Sequence, residues 1–172
     1  RYQQRDVPLF VNYNATSFNP GLSRFGENYF LVNYDTLNVV EIKGELMYRV
    51  GEKLQILGMG SYKSFQTTAE FKAWHMPNIE ASIVAFYQIK NKLIGKAQMH
   101  FYGPQLAKSY ESEGNDVVGN DGMEVYSETI APIADINLGV EYRYTERLSG
   151  FLNINNVIAQ RYQRWNQYPS QR

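Results

Sequence analysis

The sequence predicts an all-β chain that forms a segment, of about six to eight strands, of an antiparallel up-and-down transmembrane β-barrel. Apolar side chains recur with period two along six stretches, which is typical of strands with two unlike faces. Tight charged turns and long links alternate between the stretches, as in a meander with every tight turn at one end. The apolar rows carry no charge, whereas the opposing rows contain Glu41, Lys43, Glu45, Arg49, Lys63, Glu80, Lys96, Asp135, Glu141 and Arg143.

The pattern places strands at residues 38–50, 54–66, 79–89, 93–103, 133–144 and 148–157. Three-residue turns join them in pairs, and each turn is followed by a leucine (Gly51-Glu52-Lys53 before Leu54, Lys90-Asn91-Lys92 before Leu93, Thr145-Glu146-Arg147 before Leu148). Within a barrel segment over residues 1–172, residues 37–157 therefore form three predicted membrane hairpins. We expect loop with strand extensions at residues 1–36, a long acidic link at residues 104–132, and a loop before a missing last strand at residues 158–172.

Composition narrows the classes of function. The 172 residues suit one ordinary domain, and the 17 basic and 17 acidic residues balance to zero formal charge. No net field therefore draws the chain to nucleic acid, and we expect no nucleic-acid partner. The absence of cysteine excludes disulfides and thiolate metal sites. No run of about 18 apolar residues is present, so a membrane helix is excluded.

The two faces allow two interpretations. In a soluble antiparallel sheet the apolar rows form the core, whereas in an outer-membrane barrel they face lipid and the charged rows line the lumen. Strands of about 9–11 residues fit a tilted membrane span. Aromatic residues also stand at two heights: Tyr48, Tyr87 and Tyr142 lie near the turns, while Tyr62 and Phe101 each lie eight residues beyond the leucine that leaves a turn. Such spacing is close to that of two interfacial girdles, which favours the membrane barrel.

The run from Asn137 to Pro169 resembles the C-terminal part of TonB-dependent receptors, especially those of Bacteroidetes-type bacteria. This resemblance implies a 22-stranded barrel with an N-terminal plug in the outer membrane of a Gram-negative bacterium, energised through TonB to import a nutrient. The chain contains no plug and no TonB box, and six strands are fewer than a bacterial barrel needs, so we expect a segment of a larger barrel. The matching residues are Leu148, Ser149, Phe151, Leu152, Asn153, Asn155, Asn156, Tyr162, Trp165, Tyr168 and Pro169.

Candidate chemistry is limited to possible ligand contacts in the long links. We predict no enzyme, catalytic residue, metal or cofactor, since no nucleophile has a positioned base and the acidic stretch 111–128 lacks EF-hand spacing. Aromatic and imidazole rings in loops stack on ligands, although a purely structural role is the alternative for each. His100 is expected to be a lumen-facing polar residue. The predicted ligand-binding residues are Trp74, His75, Tyr110, Tyr126 and Trp165.

Three functions stay open at this stage. The first is part of a TonB-dependent receptor, whose partners would be outer-membrane lipid, TonB, a plug domain and a surface lipoprotein. The second is a structural or interaction barrel without transport, with a lumen blocked by salt bridges among Glu41, Arg49, Glu141 and Arg143. The third is a soluble antiparallel β-sheet protein that binds a ligand, in which Leu46, Ile83 and Leu138 would be buried.

Overall fold

The computed structural model of the chain describes residues 2–13, 29–90, 92–109, 116–120, 124–145 and 147–170. Within these ranges all regular structure is β, and no helix is long and apolar enough to cross a membrane. The strands are β1 (Tyr2–Tyr13), β2 (Tyr29–Val50), β3 (Leu54–Gln66), β4 (Ile79–Ile89), β5 (Leu93–Tyr102), β6 (Gln105–Ser109), β7 (Asp116–Asn120), β8 (Glu124–Ile130), β9 (Ile133–Thr145), β10 (Leu148–Ile154), β11 (Gln163–Trp165) and β12 (Tyr168–Pro169).

The main sheet is an antiparallel meander of seven strands in the order β1-β2-β3-β4-β5-β9-β10. The predicted antiparallel all-β fold and the six predicted strands are confirmed to within a few residues at most ends. The exception is β2, which has 22 residues because it continues well before position 38. Strand β1 pairs only with that extension, from Tyr2 opposite Val40 to Tyr13 opposite Tyr29.

Three regions outside the six predicted membrane strands contain further strands, the first of them in the stretch 1–36 where strand extensions were expected. Residues 2–13 form β1, while positions 14–28 lie outside the described residues. The link 104–132 contains a separate three-stranded sheet, β6-β8-β7, and the stretch 158–172 contains the small hairpin β11-β12. These strands are mostly short and polar, so their sequences lack the long alternation by which a half-buried strand is recognised. Contacts with distant parts of the chain stabilise them instead.

The apolar rows of the main sheet lie on an uncovered face. Leu46, Ile83 and Leu138 are 68%, 42% and 40% exposed, respectively. A soluble sheet protein would bury these side chains in its core, because that burial is the main favourable term in its folding. The exposure therefore agrees with the lipid-facing assignment.

The buried apolar core lies at the end of the sheet remote from the tight turns. Leu9, Leu37, Trp74 and Val125 form a cluster in which each side chain is essentially inaccessible. Leu37 is on the same face of β2 as the charged row, since it precedes Glu41 by four residues. That face is thus polar along the hairpins and apolar at the end of the sheet remote from the tight turns. There it is covered by the cap, which we define as the 67–78 loop, the β6-β8-β7 sheet and residues 155–170.

Candidate functional site

The cap begins with a turn that a single carboxylate organises. Asp35 of β2 accepts hydrogen bonds from four backbone amides, those of Thr36 (2.7 Å), Thr68 (3.3 Å), Ala69 (2.9 Å) and Glu70 (2.9 Å). Burial by itself would raise the pKa of Asp35, but these four donors favour the carboxylate and hold its pKa below the ordinary value. Asp35 therefore attaches the 67–78 loop to the sheet as an anion.

A second, part-buried carboxylate joins the loop to the inserted sheet. Glu70 accepts hydrogen bonds from Trp74 Nε1 at 2.9 Å and Asn33 Nδ2 at 2.8 Å. Lys108 Nζ of β6, whose side chain is 1% exposed, lies 3.2 Å from Glu70 Oε2. Burial opposes ionisation of Glu70, yet these hydrogen bonds and the charge of Lys108 together keep its pKa below the ordinary value.

A third junction connects the loop with residues 155–170 of the cap, called the terminal segment below. The ring of His75 packs against that of Trp165, with centroids 5.2 Å apart, and His75 Nε2 accepts a hydrogen bond from the Asn166 amide at 3.3 Å. Asn166 Nδ2 in turn donates to Glu128 Oε2 at 2.6 Å. His75 has a positive φ of 58°, and its own amide donates to Leu106 O at 2.7 Å. Three separate pieces of the chain therefore meet at this histidine.

A cavity of about 410 Å³ lies between the cap and the polar face of the sheet. Its wall combines carboxylates, two imidazoles and aromatic rings from four separate stretches of the chain. A second cavity of about 340 Å³ adjoins it further along the polar face, and Glu80, His100 and Tyr102 line both. The larger cavity is lined by His75, Pro77, Glu80, His100, Tyr102, Gln105, Ile133, Asp135, Tyr162, Arg164 and Trp165.

The predicted ligand-binding residues occupy different environments. His75 and Trp165 come together in the wall of the larger cavity. Trp74 is 1% exposed and Tyr126 is also buried, so both pack inside the cap in this conformation. Tyr110 lies outside the described residues. Contact of any of these five with a ligand stays a prediction.

Sequence reasoning did not select several residues of the cavity, namely Glu80, Gln105, Asp135 and Arg164. Glu80 and Asp135 had a usable signal, because each is the last charged residue of its polar row on the side of the long links. Gln105 and Arg164 had none, since their strands were not predicted. Among the described residues, no group of three or more histidine and acidic side chains is arranged to hold a metal ion.

Comparison with known proteins gives matches in structure only. No protein-family model and no curated protein matches the sequence. FpvAI, solved in complex with pyocin S2, superposes with a TM-score of 0.62 at 16% identity over 95% of this chain. The ferripyoverdine receptor of the outer membrane of Pseudomonas aeruginosa, bound to ferripyoverdine, gives 0.61 at 16% over 94%. The ferric enterobactin receptor PfeA of the same organism gives 0.53 at 17% over 93%.

The chain has the antiparallel β fold of one part of these barrels. It spans about a fifth of the length of these receptors, covering 21%, 20% and 23% of the three chains. The expectation of an antiparallel β-barrel fold is thus confirmed, whereas the assignment to TonB-dependent receptors, and to the Bacteroidetes type in particular, stays a prediction. At these identities the similarity concerns the fold, so ligand and partners have to be argued from the residues of this chain.

Proposed function

We propose that this chain forms part of the wall of a larger outer-membrane β-barrel, a TonB-dependent receptor that imports a nutrient into a Gram-negative bacterium. The carrying observation is the arrangement of the two faces. Exposed apolar rows cover the side that would meet lipid, and the polar side holds the cavities. The fold shared with outer-membrane receptors supports the same assignment.

The open edges of the sheet support membership in a larger barrel. Within the described residues, β10 has a neighbour only on its β9 side, and residues 41–50 of β2 have one only on their β3 side. Hydrocarbon cannot satisfy the backbone amides and carbonyls of such edges. Further strands of the receptor would pair with both. A plug domain, TonB and a surface lipoprotein are the proposed partners of the complete protein.

In this proposal the cavity below the cap receives the ligand. It lies at the end of the polar face opposite the tight turns, which is the external mouth if the turns are periplasmic. Its aromatic, acidic and amide side chains suit the orientation of a small polar molecule. The cap would form the outer wall of this binding site.

A structural barrel without transport is the second candidate. It would require charged residues that block the lumen by pairing across it. Glu141 instead pairs with Arg143 on its own strand at 2.9 Å, and both side chains are substantially exposed. This pairing favours the receptor over the blocked barrel.

Site-directed spin labelling of the complete protein in lipid bilayers tests the arrangement of the faces. The chain has no cysteine, so each single replacement carries the only spin label once any cysteine elsewhere in the protein is changed to serine. Labels at Leu46→Cys and Ile83→Cys should be relaxed more by oxygen, which concentrates in lipid, than by the water-soluble reagent NiEDDA. The neighbouring controls Glu45→Cys and Ser82→Cys should show the opposite preference. Equal accessibility at neighbouring positions would contradict the proposal.

A further inference from the structure

Two hydrogen-bond acceptors without partners belong to residues in the wall of the larger cavity. Gln105 Oε1 and Asp135 Oδ1 are buried and accept no hydrogen bond within the described part of the chain. Gln105 is only 4% exposed as a whole residue. Buried polar atoms nearly always have partners in folded proteins, because leaving one unpaired forfeits its hydration without compensation. Two such acceptors on residues of one cavity wall could both be satisfied by a bound group that donates hydrogen bonds.

The charges of the wall indicate that this donor is a cation. Glu80 is neutralised by Lys63, whose Nζ lies 2.7 Å from Glu80 Oε1. Asp135 has no such cation among the described residues: its other oxygen accepts only from Asn137 Nδ2, at 3.4 Å. An ionised donor forms the stronger hydrogen bond to a carboxylate, and a partly buried site strengthens the attraction further.

Aromatic side chains supply the remaining surface that such a cation prefers. Trp165 and Tyr162 come from the terminal segment, and Tyr102 comes from the end of β5. The negative faces of aromatic rings attract ammonium and guanidinium groups. Among the described residues of the wall, Arg164 is the one permanent cation, and it is exposed to solvent. Its positive charge opposes a cationic ligand. Removing that charge therefore distinguishes a site for cations from a site for anions.

We infer that the cavity binds a small organic cation through a guanidinium or primary ammonium group, held by Asp135 and Gln105 beside Trp165 and Tyr162. This inference rests on the proposed receptor function, and it specifies the chemical class of the ligand. The cation would donate to Asp135 Oδ1 and Gln105 Oε1. It would thereby satisfy both unpaired acceptors and balance the charge of Asp135.

Butylguanidinium and its neutral isostere butylurea are the probes for this inference. They share shape and most N–H donors but differ by one charge. Binding to the complete receptor in lipid nanodiscs is measured by saturation-transfer NMR and competition. We expect butylguanidinium to bind about tenfold more tightly than butylurea, because only the cation forms charge-assisted bonds to Asp135. Equal binding of the two probes, or binding of neither, would overturn the inference.

Four variants locate the effect. Asp135→Asn should abolish the preference for the cation, and Gln105→Leu should weaken binding of both probes. Glu141→Gln removes a carboxylate from the same face of β9 outside the cavity and should change neither. Arg164→Gln should tighten butylguanidinium binding, whereas a site for anions would lose affinity. Weaker butylguanidinium binding by Arg164→Gln, or an unchanged preference in Asp135→Asn, would rule out the cation.

The two proposals fail separately. Spin labels that report lipid on the apolar rows, together with no preference for the cation, would leave the receptor assignment in place and remove only the ligand class. Labels that report water on both faces would remove the receptor assignment, whatever the probes do.

Discussion

Asp35 shows how one side chain can attach a loop to a sheet. Its carboxylate has lost hydration, which by itself would make its negative charge unfavourable. The four amide donors replace that hydration, and three of them belong to consecutive residues of the loop, 68–70. The stabilisation therefore acts directly on the segment that carries Trp74 and His75 to their positions.

Asp35→Asn should loosen the start of the cap without unfolding the sheet. The amide side chain keeps the size of the carboxylate but loses its charge and one acceptor atom, and lost bonds of this kind cost about 1–3 kcal/mol. Hydrogen exchange at the amides of residues 68–70 in the complete protein measures this change. Glu52→Gln, in the tight turn at the opposite end, is the control. Unchanged exchange at residues 68–70 would contradict the assigned role.

The same carboxylates give the cap a defined dependence on pH. The folded state lowers the pKa values of Asp35 and Glu70 from ordinary values of 3.8 and 4.5. Their contribution to stability is complete above those ordinary values, and it is lost as the pH falls through the lowered values. Exchange at residues 68–70 should therefore accelerate in acid, and Asp35→Asn should reduce that acceleration.

At the scale of the element, each strand of the three hairpins would face lipid on one side and water on the other in the proposed barrel. The row that contains Ile83 meets lipid in the proposed barrel, and the adjacent row that contains Ser82 meets the aqueous lumen. Ile83 is near the middle of β4, far from both ends of the membrane span. A charge there cannot easily reach water.

Ile83→Arg should destabilise the protein in lipid much more than Ser82→Arg does. Arginine on the lipid face near the bilayer midplane costs about 2–4 kcal/mol, whereas in the lumen it remains hydrated. Urea unfolding of the complete protein folded into lipid vesicles gives both values. Similar losses for the two neighbouring substitutions would place both faces in the same solvent.

The strands predicted correctly are those whose environment is simple. Strands β3 and β4 occupy the predicted ranges, because each keeps the same two unlike faces from one end to the other. Along β2 the same face changes from exposed Lys43 to Leu37 buried under the cap, which interrupts the pattern. Strand β8 has buried Val125 and Tyr126 at adjacent positions, so both of its faces are covered and no alternation is left to detect.

At the scale of the whole molecule, the cap is held together by contacts between distant residues. Glu70 and Lys108 are 38 positions apart, and His75 and Asn166 are 91 apart. Periodicity reports only neighbours along one strand, so no sequence pattern could pair these residues. Sequence reasoning found His75 and Trp165 because rings in loops are unusual, but their partners depend on the folded chain.

A double-mutant cycle on Glu70 and Lys108 should show that the loop and the inserted sheet act as one unit. Glu70→Gln or Lys108→Met alone removes one partner of a largely buried ion pair, at a cost of about 3–5 kcal/mol. The double variant should cost much less than the sum of the two. Hydrogen exchange of residues 67–78 and of β6 reports both sides of the junction.

The exposed pair of Arg143 and Glu141 provides the matched control. It is separated by 2.9 Å, and the two side chains are 49% and 40% exposed. Its coupling should be well under about 1 kcal/mol. Additive effects at Glu70 and Lys108 would show that the loop and the inserted sheet open independently.

The length of β2 has a mechanical consequence. Strand residues advance about 3.3 Å each, so the eleven residues of β2 that precede Val40 extend roughly 36 Å beyond it. Strand β1 pairs with this extension along its full length, so the backbone forms an unbroken two-stranded rod without a hinge. In the proposed receptor, such a rod would carry Tyr13 and Tyr29 away from the lipid surface. An antibody or a phage approaching from outside could then contact this part of the chain without reaching the membrane.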